Sequence, residues 1–94
     1  MKIRIHVTKE DIRNGVRANC NECPVALAIK RRINPGLYVE VRASGIDIGD
    51  VHNINSENTY EFISNFDNCP REYRDMLKPI RFMIEIPSGF VKRK

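Results

Sequence analysis

Cys20 and Cys23 form a C-x-x-C pair, and Pro24 follows at once, so the two thiols open onto the first turn of a predicted helix. The free N–H groups of a helix start favour negative charge, and a thiol placed there ionises more readily than usual. Two chemistries follow. In one, Cys20 and Cys23 cycle between dithiol and disulfide. In the other they are half of a zinc site completed by Cys69 with His52 or His6, since thiolate and imidazole are the usual tetrahedral zinc donors. Each has a feature against it. A redox C-x-x-C normally follows a strand directly, whereas a predicted helical stretch from Lys9 to about Ala18 intervenes here. Cys69 stands alone, and neither histidine has a partner at ligand spacing. Free cysteine is among the most buried residue types, so the plainer expectation is structural thiols, no metal and no cofactor. Cys20, Cys23, Cys69 and His52 form the alternative set, that of a metal- or thiol-dependent protein.

A second group of residues bears charge. If the aliphatic rows of the predicted strands face the helices, the opposite rows present Lys2, Arg4, His6, Tyr38, Glu40, Arg42, Arg81, Met83 and Glu85. Basic side chains beside an aromatic can hold phosphates while a base stacks. Arg4, His6, Tyr38, Arg42 and Arg81 are therefore the candidate binding residues. Glu40 and Glu85 interrupt the row, and a solvated sheet face accounts for the same residues. Lys30-Arg31-Arg32 complements a helix dipole, and Lys92-Arg93-Lys94 reads as a solubilising tail. No phosphate-loop, dinucleotide-binding or nucleophile-elbow motif occurs, and the acidic residues lack paired placement. The chain reads as a protein that is not an enzyme.

The elements that must position these groups follow from periodicity. Ile3, Ile5 and Val7 alternate with Lys2, Arg4 and His6, which makes a half-buried strand. Thr8-Lys9-Glu10-Asp11 resembles a capping box, and Ile12 with Val16 forms the apolar side of a short helix. Pro24 fits the first position of a second helix, with Val25, Leu27, Ala28, Ile29 and Ile33 on its apolar face. Asn34-Pro35-Gly36 breaks the chain. Alternation returns from Leu37 to Ala43 and at Ile46 to Ile48, a hairpin about Ser44-Gly45. Gly49-Asp50 marks a bulge or bend before Val51 to Ile54. Ser56 caps a third helix through about Phe66, with Tyr60, Phe62, Ile63 and Phe66 as its apolar content. A helical turn spans about Glu72 to Leu77, and Arg81 to Ile86 is the last strand.

The order is β-α-α-β-β-α-β. It predicts an α+β two-layer sandwich, with a mostly antiparallel four-stranded sheet and helices on one face. Residues 1–94 form a single domain, with 88–94 a mobile tail. The composition, 41% hydrophobic and 30% charged, excludes a disordered chain. A net charge of +4 favours an acidic protein or nucleic acid as partner. No apolar run is long enough for a membrane span, so no membrane contact is expected. Met1 to Val7 lacks the apolar core of an export signal, and three cysteines cannot all pair. Together these predict a cytoplasmic protein. A chain of 94 residues gains core by association, which adds a homo-oligomer to the expectations.

The stretches Ile12-Arg13-Asn14-Gly15 and Cys20 to Ile29 are distinctive, the second reading C-x-x-C-P-V-A-L-A-I. Together with Phe66-Asp67 and a closing strand ending at Pro87, they resemble a group of small uncharacterised proteins of bacteria and their viruses that carry a C-x-x-C-P-[IV]-A-L-A helix. The resemblance implies a shared fold and a viral or prophage origin, and assigns no activity. A small viral protein without catalytic motifs would act by binding a host complex. The leading expectation is therefore a non-catalytic module that docks on an acidic macromolecule.

Overall fold

The computed structural model describes residues 1–92 of the 94-residue chain. Strand β1, Lys2–Val7, has the expected alternation, with Ile3, Ile5 and Val7 buried and Lys2, Arg4 and His6 exposed. It ends in a full capping box. The Thr8 hydroxyl accepts the Asp11 N–H at 3.1 Å, and the Asp11 carboxylate accepts the Thr8 N–H at 2.9 Å. Helix α1, Lys9–Asn14, is shorter than its apolar pattern suggests. It stops at Gly15, where a Cβ would lie 2.5 Å from the Pro24 ring, so only glycine lets α1 and α2 approach this closely. Val16 is therefore outside the helix and exposed.

Helix α2, Pro24–Lys30, starts with proline at its first position and buries Val25, Ala26, Ala28 and Ile29. Leu27, expected in the core, is half-buried, and Ala26 takes the inward position instead. Three short strands follow: β2 (Val39–Val41), β3 (Gly45–Ile48) and β4 (Val51–Ile54). Helix α3, Glu57–Asp67, leads to a 3-10 segment, Arg71–Met76, and to the last strand β5, Ile80–Glu85. In α3 the buried residue next to Phe62 is Thr59, while Tyr60 points to solvent. The Ser56 hydroxyl bonds the side chains of Asn58 and Thr59 rather than a free backbone N–H.

The α+β class holds, but the single four-stranded sheet does not. There are two antiparallel sheets, β1–β5 and β2–β3–β4. Gly49 and Asp50 form a two-residue hairpin turn rather than a bulge, with Ile48 opposite Val51. Gly49 has φ +59°, a left-handed value that glycine adopts without strain. The extra hairpin adds a strand to the element order. Among the described residues, one side chain hydrogen-bonds the two sheets together. Asn53 on β4 accepts the Glu85 N–H at 2.9 Å and donates Nδ2–H to the Glu85 carbonyl at 3.0 Å. Its amide thus stands in for a neighbouring strand along the outer edge of β5. The inner faces share one core, in which Ile5, Val7, Ile29, Val39, Ile48 and Phe66 are fully buried, and α2 lies against both β1 and β2.

Residues 88–92 make a 3-10 turn and a bridge between Val91 and Ile33, with Phe90 packed on the core. Lys92 donates to the Arg32 carbonyl at 3.0 Å. The remaining positions of the expected tail, 93 and 94, lie outside the described residues. Among the described residues, no helix is long and apolar enough to cross a membrane.

Candidate functional site

Register decides which exposed side chains stand together on β1–β5. Ile86 N–H donates to the Met1 carbonyl at 3.0 Å. That bond makes Ile3/Ile84, Ile5/Phe82 and Val7/Ile80 the hydrogen-bonded pairs of the ladder. The outward pairs Lys2/Glu85, Arg4/Met83 and His6/Arg81 are therefore the non-hydrogen-bonded ones. Their side chains approach to about 5 Å between Cβ atoms. Arg4, His6 and Arg81 consequently form one patch around Met83, which is 52% exposed. Arg4, Arg81 and Met83 border a shallow hollow of about 420 Å³. The acidic end of the row, Glu85, faces the chain's own amino group at 3.5 Å. Among the described residues neither Arg4 nor Arg81 enters an ion pair.

The outer edge of β1 is closed by arginines assigned above to the helix dipole. Arg32 Nη1 donates to the Arg4 carbonyl at 2.7 Å, and Arg31 Nη2 to the His6 carbonyl at 3.1 Å. Arg31 also grips Asp11 with two bonds of 2.8 Å. Burial resists ionisation of Asp11, but the Arg31 fork and the Thr8 N–H and hydroxyl outweigh it and hold the carboxyl below its ordinary range.

Tyr38 and Arg42 flank β2 of the other sheet, one at each end. The Tyr38 hydroxyl donates to Glu40 Oε1 at 2.7 Å, and Arg42 Nη2 bonds Glu40 Oε2 and reaches Asp47 Oδ2 at 3.2 Å. His52 Nδ1 meets the same Asp47 at 2.6 Å. Glu40 is directly opposite Asp47, and Asp47 opposite His52, so this outer face is a self-satisfied strip of acids and bases. The structure brings Arg4, His6 and Arg81 together and leaves Tyr38 and Arg42 at the two ends of β2 in the other sheet, both tied to Glu40. Met83 and Lys2 belong to the first patch, and their alternation with buried neighbours was the signal for it.

Cys20, Cys23 and Cys69 are free thiols. Cys23 precedes the first residue of α2 and is buried. Desolvation pushes its thiol pKa up, despite backbone hydrogen bonds from Ala26 and Val25 that favour the thiolate. The helix-start effect anticipated above is present at Cys23, and burial overrides it. Cys20 and Cys23 line a cleft of about 220 Å³ with Val41, Ile63 and Asp67. Cys69 donates its thiol to the Pro70 carbonyl at 3.4 Å, and His52 is engaged with Asp47. Among the described residues no three His, Cys, Asp or Glu side chains gather as a metal site would require. Compared with protein-family models, curated proteins and solved structures, the chain shows no match.

Proposed function

We propose that this protein is a non-catalytic binding module whose β1–β5 open face docks on an acidic macromolecule. The observation that carries the reading is the pairing of Arg4/Met83 and His6/Arg81 on non-hydrogen-bonded positions, with neither guanidinium engaged by a carboxylate among the described residues. Unpaired cations ringed about one exposed apolar side chain suit a partner with carboxylates around a small apolar spot. An acidic protein surface fits better than single-stranded nucleic acid, because the face presents Met83 where a stacking ring would be needed. Tyr38, the aromatic of the sequence expectation, belongs to the other sheet and is tied to Glu40. In this reading the partner belongs to a host complex, in line with the resemblance of the Cys20–Ile29 segment to small proteins of bacteria and their viruses.

The test is a chemical-shift map of the labelled protein titrated with a poly-glutamate peptide at low salt. Amides of β1 and β5 shift and those of β2, β3 and β4 stay in place. Shifts centred on Tyr38, Arg42 and His52 would move the site to the other sheet. A mixed-sequence single-stranded oligonucleotide that binds more tightly than the peptide would make nucleic acid the partner.

A further inference from the structure

Among the described residues, buried charge is paired with one exception. Asp11 meets Arg31, whereas Arg74, on the 3-10 segment Arg71–Met76, is 8% exposed and meets no carboxylate among the described residues. Its guanidinium carbon lies 4.7 Å from the centre of the Phe66 ring. Nη1 donates to the Arg13 carbonyl at 3.2 Å, while Nε is buried with no hydrogen-bond partner. Arginine is almost never buried this deeply without a counter-ion, because desolvating its charge is costly.

The surroundings add cations. Arg17 Nη1 donates to the Cys69 carbonyl at 3.3 Å. The two guanidinium–carbonyl bonds run in opposite directions across one seam, from Arg74 to Arg13 and from Arg17 to Cys69. They stitch the stretch from α1 to Arg17 against the stretch from Cys69 to Arg74, and the exposed Arg17 and Arg71 act on the buried guanidinium. Burial first, then the cations of Arg71 and Arg17, weaken the hold of Arg74 on its proton. The acids of these elements are Glu10, Asp11, Asp67, Glu72 and Asp75, of which Asp11 is held by Arg31. None of them ion-pairs with these arginines, and Asp67 accepts the Ala18 N–H at 3.2 Å instead.

We infer that the junction of α1 with the 3-10 segment is an oxyanion site, where Arg17 and Arg71 hold a phosphate group from the solvent side and Arg74 supplies a fixed positive charge beneath it. Phosphate suits the site better than a carboxylate. Its double charge offsets several cations at once, and its tetrahedral oxygens accept from more than one guanidinium fork. The inference is independent of the β1–β5 face, which uses different arginines.

Inorganic phosphate titrated into the full chain at constant ionic strength, with chloride as the balancing anion, tests it by amide chemical shifts. A saturable response is expected at residues 13–19 and 69–76. Arg17→Ala and Arg71→Ala, both at exposed positions, should each weaken it about tenfold, the worth of one charge-assisted hydrogen bond. Arg71→Glu places a carboxylate at the junction and should abolish the response while raising the melting temperature. The Arg4→Ala/Arg81→Ala variant should keep the full phosphate response even though it loses the poly-glutamate contact, so failure of one face does not decide the other. No saturable response at millimolar phosphate, or equal affinity in the Arg17→Ala/Arg71→Ala variant, would overturn the assignment.

Discussion

Arg4 on β1 and Arg42 just past the end of β2 are both exposed, and each sits two residues from an ionisable neighbour. Arg4 has His6 beside it and Met83 opposite. Arg42 has Glu40 beside it, and Glu40 in turn faces Asp47 across the ladder. The first guanidinium keeps its charge available, while the second is neutralised by its own sheet. Exposure alone therefore says little about binding. What separates the two faces is whether register places a carboxylate within reach, since an internal pair must be broken before either group can serve a partner.

Both faces rest on the core that the two sheets share. Ile5 on β1 and Ile48 on β3 are both fully buried, so Ile5→Ala and Ile48→Ala should each cost about 2–5 kcal/mol. Denaturant melts of both variants should remain single transitions. A two-step melt in either would mean that the sheets are separate units.

Asp11 sharpens the contrast between engaged and free cations, because its carboxylate serves both Thr8 and Arg31. Asp11→Ala should cost about 1–3 kcal/mol through the lost cap and the freed guanidinium. The pH dependence has a definite sign. The folded-state pKa of Asp11 is lowered, so its contribution is present above the unfolded-state value of 3.8 and lost as pH falls through the folded value. Acid melts should therefore show wild type losing stability below about pH 4 more steeply than the variant. Parallel curves would show that the pair is not held in solution.

Asn53→Ala removes the amide that joins the sheets and leaves the Glu85 N–H and carbonyl to water. The expected loss is about 1–2 kcal/mol, with faster hydrogen exchange confined to the Glu85 amide region. Unchanged exchange there would contradict the bridging role. The smallest effect belongs to the self-satisfied strip. Arg42→Ala should change stability by less than about 0.5 kcal/mol in a thermal melt, because exposed ion pairs contribute little.

Local rules made much of this legible. The β1 and β5 alternations, the Thr8/Asp11 box and Pro24 at the start of α2 each depend on residues within a few positions of one another. The failures are long-range. The exception is Gly49-Asp50, a Gly-Asp pair between two alternating runs and so a local hairpin signal that the bulge reading passed over, and the extra strand follows from that choice. Tyr60 is the more apolar residue, yet Thr59 faces the core because the start of α3 sets the phase. The pairing of Glu40 with Arg42 was visible in principle, since residues two apart on a strand share a face. Placing Asp47 on the same group required the register. The burial of Arg74 against Phe66 carries no local signal at all.

The central claim, that the free cations of β1–β5 bind and the engaged cation of β2 does not, is tested most directly by comparing two double variants. Arg4→Ala/Arg81→Ala and Tyr38→Ala/Arg42→Ala are each titrated against a fluorescent poly-glutamate peptide at low salt, where surface charges are least screened. The first should lose affinity about tenfold or more, and the second should change by less than about twofold. Equal losses, or a larger loss in Tyr38→Ala/Arg42→Ala, would contradict it.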